Sequence, residues 1–174
     1  MRIATMVGTA GVALLAGTAA AQEIAYDFDR TANFASMKTY SWVSGHGVQD
    51  DLNHKRIVAA IDAQLAAKGL AKVEPGANPD ALVAYHVGFA RDLQISGYGS
   101  TWGGPRARPI SARAEQITVG MLAVDLRDAK TRAVIWRSSA TRDLDADASP
   151  EKRDKNLNKA AEKMFEHYPT ATGK

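Results

Sequence analysis

The chain has 174 residues, a net charge of +3 from 22 basic and 19 acidic side chains, and no cysteine. An apolar share of 45% with 24% charged residues is that of one ordinary globular domain, not of a disordered chain. The small positive excess supplies no concentrated basic face for nucleic acid. The missing sulfur excludes disulfides, thiolate metal sites and cysteine nucleophiles.

The opening MRIATMVGTAGVALLAGTAAAQ has one positive charge at Arg2, an apolar run, and then small residues. Ala19 and Ala21 make an A-x-A site with Gln22 as the first mature residue, so residues 1–21 read as a secretory signal peptide. The alternative is a retained membrane anchor, since about 20 apolar residues can span a bilayer. Gly8, Thr9, Gly11, Gly17 and Thr18 interrupt that run and weaken it as a span. The expectation is a periplasmic or secreted protein with no stable membrane anchor after cleavage, its domain at 22–169 and a frayed tail at 170–174.

In the mature chain, Ile24, Tyr26 and Phe28 alternate and predict a half-buried strand. Lys38 to Val43, with Tyr40 and Trp42 on one side, predicts a second. Leu52 to Lys68 carries Ile57, Ile61 and Leu65 every four residues and reads as a helix, with Gly69 where a left-handed cap residue belongs. DALVAYHVGFARDLQI places Val83, Tyr85, Val87, Phe89 and Leu93 on one face of a long strand. EQITVGMLAVDL and AVIWRSSATRDL then predict a hairpin about DAKTR. Leu122, Val124 and Leu126 would share the buried face with Val134 and Trp136, leaving Asp125, Arg127, Arg137 and Thr141 on the wet one. Ser149 as cap, Pro150 at the first helical position and Glu151 open a last helix with its stripe at Leu157, Ala160, Ala161, Met164 and Phe165, closed by Pro169. The order β-β-α-β-β-β-α predicts an α+β two-layer sandwich: two helices on one face of a mainly antiparallel five-stranded sheet.

Between the third and fourth strands lies GYGSTWGGPRARP, Gly97 to Pro109. A phosphate-cradling loop needs its glycines to follow a strand and open a helix, and this segment joins two strands. The simpler reading is a long hairpin connection, since loop length costs little. The alternative is a binding loop: Tyr98 and Trp102 stack on a sugar or apolar group, while Arg106 and Arg108, with Arg113 nearby, grip carboxylates or phosphates. An envelope protein, a glycan or a lipid head group would satisfy that chemistry.

Catalytic and metal signals are thin. His46, His54, His86 and His167 have no ligand spacing, and no metal or cofactor is expected. Asp143, Asp145 and Asp147 match the start of a calcium loop, but Ala148 and Asp154 stand where glycine and glutamate are required; acids before a helix more simply favour its N-terminus. SGHG and SGYG lack the nucleophile-elbow pattern. The expectation is a non-catalytic binding or interaction domain. The alternatives are a hydrolase or other enzyme whose site forms only in three dimensions, and a small-ligand carrier using the wet sheet face.

An ordered set of pieces carries a resemblance: DFDRTANFASMKTYSW, LAAKGL, PDALVAYHV, LAVDLRDAKTRAVIWR and the terminal FEHYP. Together, over Ile24 to Pro169, they resemble the bacterial domain of unknown function 4136 family. The resemblance implies an exported envelope protein with no established activity, often a lipoprotein. Here Gln22 stands where a lipidated member carries cysteine, which favours soluble periplasmic residence over tethering.

Overall fold

The computed structural model describes residues 22–43, 51–74, 76–98 and 111–169, of which 92–98 and 111–116 are described as backbone alone. The elements are β1 (Glu23–Phe28), β2 (Thr39–Trp42), α1 (Asp51–Ala67), β3 (Ala71–Lys72), β4 (Ala81–Tyr98), β5 (Ser111–Asp128), β6 (Val134–Leu144) and α2 (Pro150–Phe165). They build an α+β fold on a six-stranded sheet of order β1-β6-β5-β4-β2-β3.

Two features correct the five-stranded, mainly antiparallel expectation. The sixth strand, β3, has two residues, both exposed, too short for any alternation to mark it. The sheet is also mixed: β2 pairs parallel with both β4 and β3, while β1, β6, β5 and β4 pair antiparallel. The cause is α1, whose 17 residues supply the crossover that two neighbouring parallel strands need.

One core joins the layers. Tyr40, Val83, Tyr85, Leu122, Val124, Leu126 and Trp136 share a sheet face and pack with Ile57, Ile61 and Leu65 of α1 and Ala160, Met164 and Phe165 of α2. α1 ends in a Schellman motif: the Leu70 N–H donates to the Leu65 carbonyl at 3.0 Å and that of Gly69 to Ala66 at 2.9 Å, with Gly69 at φ +87°. α2 opens as its residues predict, the Ser149 hydroxyl accepting from the Lys152 N–H at 3.3 Å with Pro150 in the first turn. Ser149→Ala should therefore cost about 1 kcal/mol and lower Tm by roughly 2–4 °C in a thermal melt, an effect Ser149→Asp should not produce.

Val134 departs from its expected place. A bulge between Leu126 and Arg127 lets Leu126 pair with Trp136 and Arg127 with Val134, so Ile135 is the extra residue. Ile135 turns inward at 4% exposure and Val134 outward at 41%. Phe89, expected on the buried face, is 68% exposed because the helices do not reach that far along β4.

Candidate functional site

The helix stripes run out before the strands do. In α1 the stripe Leu65, Ile61, Ile57 continues four residues upstream to polar Asn53, and in α2 the apolar face begins at Leu157. Between these helix ends β4, β5 and β6 continue, with Val87 and Phe89, Gly120 and Leu122, and Ala140 and Leu144 on the same side. The result is a groove of about 440 Å³ with an apolar floor, the size of small-molecule sites. Glycine at 120 keeps the floor low: a Cβ there would come within 2.8 Å of the Leu144 methyl carbons.

Arginines ring this floor. Arg56 is paired, its Nε 2.7 Å from Asp154 Oδ1. Arg142 and Arg153 are bound only to backbone carbonyls, of Asp143 at 3.2 Å and Ala146 at 3.1 Å, and neither has a carboxylate within ion-pair distance among the described residues. Asp145 also lines the groove and feels the charge of Arg153 without forming an ion pair with it; apolar walls with these cations at the mouth are the chemistry of a site for an amphiphilic anion.

The opposite sheet face holds a second polar group of residues. Asp125, expected in water, is completely buried there. Arg137 grips it with two short bonds, Nε to Oδ1 at 2.6 Å and Nη2 to Oδ2 at 2.7 Å. Arg127 Nη2 stands 3.7 Å and His86 Nε2 3.5 Å from the same Oδ2. Burial pushes the Asp125 carboxyl up, but the Arg137 hydrogen bonds and the charges of Arg137, His86 and Arg127 outweigh it and hold it below the usual range. A histidine beside a buried carboxylate is two of the three members of a hydrolytic triad. The hydroxyl that shares its row, Ser139, lies beyond Ala123, two strands and about 10 Å from His86.

A third polar centre is structural. Asp62 Oδ1 accepts from the Tyr40 hydroxyl at 2.7 Å and Trp42 Nε1 at 2.8 Å, and Oδ2 from Lys72 at 3.0 Å. Burial and that carboxylate push the Tyr40 hydroxyl well up.

Tyr98 closes the β4–β5 ladder opposite Ser111, so Gly97 and Tyr98 belong to a strand, not to the connection expected there; Arg113 is in β5. Trp102, Arg106 and Arg108 lie outside the described residues, as do the cleavage site at Ala21 and His46. Gln22 begins the described chain and reaches the groove. The other histidines scatter: His54 Nδ1 meets the Tyr85 hydroxyl at 2.6 Å, His167 stacks on Tyr26 at 4.3 Å, and His86 is beside Asp125. Asp145 accepts from Lys152 Nζ at 2.7 Å and from the Asp147 N–H at 3.0 Å, an N-terminal brace for α2. Among the described residues no three His, Asp or Glu side chains gather as a metal site, and no helix is long and apolar enough to cross a membrane.

Fold and groove together define a two-layer α+β domain with an apolar cleft at the open end of its helix layer. The chain belongs to the DUF4136 family, a domain of unknown function, which it matches over residues 24–170. No curated protein matches it. Among solved structures it is similar to a PDZ domain protein from Parabacteroides distasonis (15% identity, TM-score 0.53), covering 87% of this chain but only 37% of that one. It is similar also to the PelC dodecamer from Paraburkholderia phytofirmans (14%, TM-score 0.51, covering 83% and 95%). A DUF4136 family protein from Bacteroides thetaiotaomicron aligns as well (12%, TM-score 0.51, covering 83% and 94%). At these identities the likeness is one of fold.

Proposed function

We propose that this protein is an exported, non-catalytic binding domain of the cell envelope whose groove holds an amphiphile, an acyl chain on the floor and an acidic head at Arg142 and Arg153. The observation that carries the reading is the apolar cleft of about 440 Å³ beside two arginines that form no ion pair among the described residues. Export rests on the signal-like residues 1–21, and the absence of cysteine argues for a soluble rather than a lipid-tethered periplasmic form.

Dodecanoate should raise the melting temperature progressively with its concentration, as any ligand selective for the native state does, the added stability reaching about 2.7 kcal/mol at one hundred times its Kd. Dodecyltrimethylammonium should do so far less. Phe89→Glu, at an exposed position and hence tolerated by the fold, should remove most of the dodecanoate effect. Equal stabilisation by the cation, or an unchanged Phe89→Glu response, would refute the assignment.

The Gly97–Pro109 segment with Tyr98, Trp102, Arg106 and Arg108 is a separate surface in this reading, for an envelope protein, glycan or lipid head group. Tyr98 lies nine residues beyond Phe89 along β4, about 30 Å of strand. One preparation tests both location and loop. Protein recovered from the envelope fraction should begin at Gln22, and its crosslinked partners should vanish when 97–109 is deleted; partners that persist would refute the loop's role.

A further inference from the structure

The wet sheet face carries more cationic capacity than its one buried carboxylate uses. Asp125 lies beneath Arg127, Arg137 and His86, all three of which are partly open to solvent. Two permanent guanidinium charges against one carboxylate leave an excess of one positive charge. Another acid, Asp27, stands opposite Arg137 in the β1–β6 register. Its Oδ1 instead accepts the Phe28 N–H at 2.8 Å, and it makes no ion pair with Arg137.

The donors are equally unspent. Arg137 commits Nε and Nη2 to Asp125, which fixes its plane and leaves Nη1 without a partner among the described residues. Arg127 makes no hydrogen bond there: Nη2 is too far from Asp125, and Nε is buried with nothing to donate to. Nitrogens of all three side chains lie within 3.7 Å of the single atom Asp125 Oδ2, so they form one compact set.

We propose that Arg127, Arg137 and His86 form a binding site for a phosphate group, with Asp125 as the positioning residue that holds the Arg137 fork in place. Guanidinium forks match phosphate oxygens bidentately. A phosphate monoester, with three acceptor oxygens and roughly −1.5 to −2 charge at pH 7, draws on more of these cationic donors than the two oxygens and single charge of a carboxylate.

The test uses the whole chain with inorganic phosphate, acetate, and phosphatidylcholine vesicles with or without phosphatidic acid as probes. The readouts are His86 ring NMR shifts and isothermal titration. Phosphate should move the His86 resonances saturably and bind at least tenfold tighter than acetate. Arg127→Met keeps the apolar stem and removes no hydrogen bond, so it should fold normally and lose at least tenfold in phosphate affinity, while Arg132→Met should lose none. Response to inorganic phosphate supports the site with a free ligand as its source; response only to the phosphatidic acid vesicles supports it with a lipid head group. No response to either, acetate binding as tight as phosphate, or an Arg127→Met protein that binds like the parent would each overturn the proposal.

Discussion

Truncating Trp136 to alanine should lower folding stability by about 3–5 kcal/mol, a large fraction of the about 5–15 kcal/mol that holds a domain of this size together. Trp136 is 1% exposed and is the centre of the aromatic cluster, its ring 4.7 Å from Phe165 and 5.5 Å from Tyr168. Tyr168 in turn meets Phe34 at 5.7 Å, and Phe34 meets Phe28 at 6.2 Å, so one side chain ties the end of α2 to β6 and to the β1–β2 connection. Trp136→Phe should cost much less than alanine, because the indole N–H has no hydrogen-bond partner and removing it loses only packing. Urea melts decide the matter: the midpoint should drop steeply for alanine and modestly for phenylalanine, with the slope unchanged. An alanine variant within 1 kcal/mol of the parent would mean that this cluster does not hold the layers together.

Arg137→Met should cost about 3 kcal/mol, because the group it abandons is buried. Asp125 would keep a full charge in the sheet with its two short hydrogen bonds gone, whereas Asp125→Asn leaves arginines that water can reach and should cost less. The pH dependence has a definite sign. In the folded chain the Asp125 carboxyl titrates below its ordinary value near 3.9, so its pairing stabilises the protein above about pH 4 and that contribution is lost as pH falls through the folded value. In Arg137→Met burial dominates and pushes the carboxyl up. The stability gap between parent and variant should therefore narrow as pH falls, beginning above about pH 4 where the variant's raised carboxyl takes its proton and ending below about pH 4 where the parent's does. Other acids with depressed values, Asp80 and Asp128 among them, titrate in both proteins and cancel in the difference. A gap that stays constant from pH 7 to pH 3 would contradict the ion-pair account.

The parts legible from the residues were those governed by local chemistry. Ser149, Pro150 and Glu151 announce α2, the four-residue recurrence of Ile57, Ile61 and Leu65 announces α1, and DAKTR between two alternating runs announces the β5–β6 hairpin. What escaped depends on distant or very short pieces. Two residues cannot show a period, so β3 was invisible. The parallel pairing of β2 with β4 was in principle readable, because a helix of 17 residues lies between them. Val134 faces outward against its alternation because a bulge shifts parity, and no residue type marks the bulge's position. Asp125 was expected in water because alternation assigns a face without saying what else on that face will cover it; its cover comes from β4 and β6.

The groove left a trace in the sequence that only the fold makes meaningful. Apolar alternation in β4 continues through Val87 and Phe89 after both helix stripes have become polar, which leaves sheet without helix to cover it. Small residues at Gly120 and Ala140 deepen the same place. A surplus of apolar strand over apolar helix is thus a signal for a cleft, provided the order of the strands is known.

The central claim is that this cleft is the binding site of the domain, and methyl-resolved NMR during a dodecanoate titration tests it most directly. The methyl groups of Val87, Leu122 and Leu157 should shift together and saturate while those of Leu65 and Val83 stay fixed. Shifts spread over the whole surface without saturation, or none at Leu122 and Leu157, would contradict it.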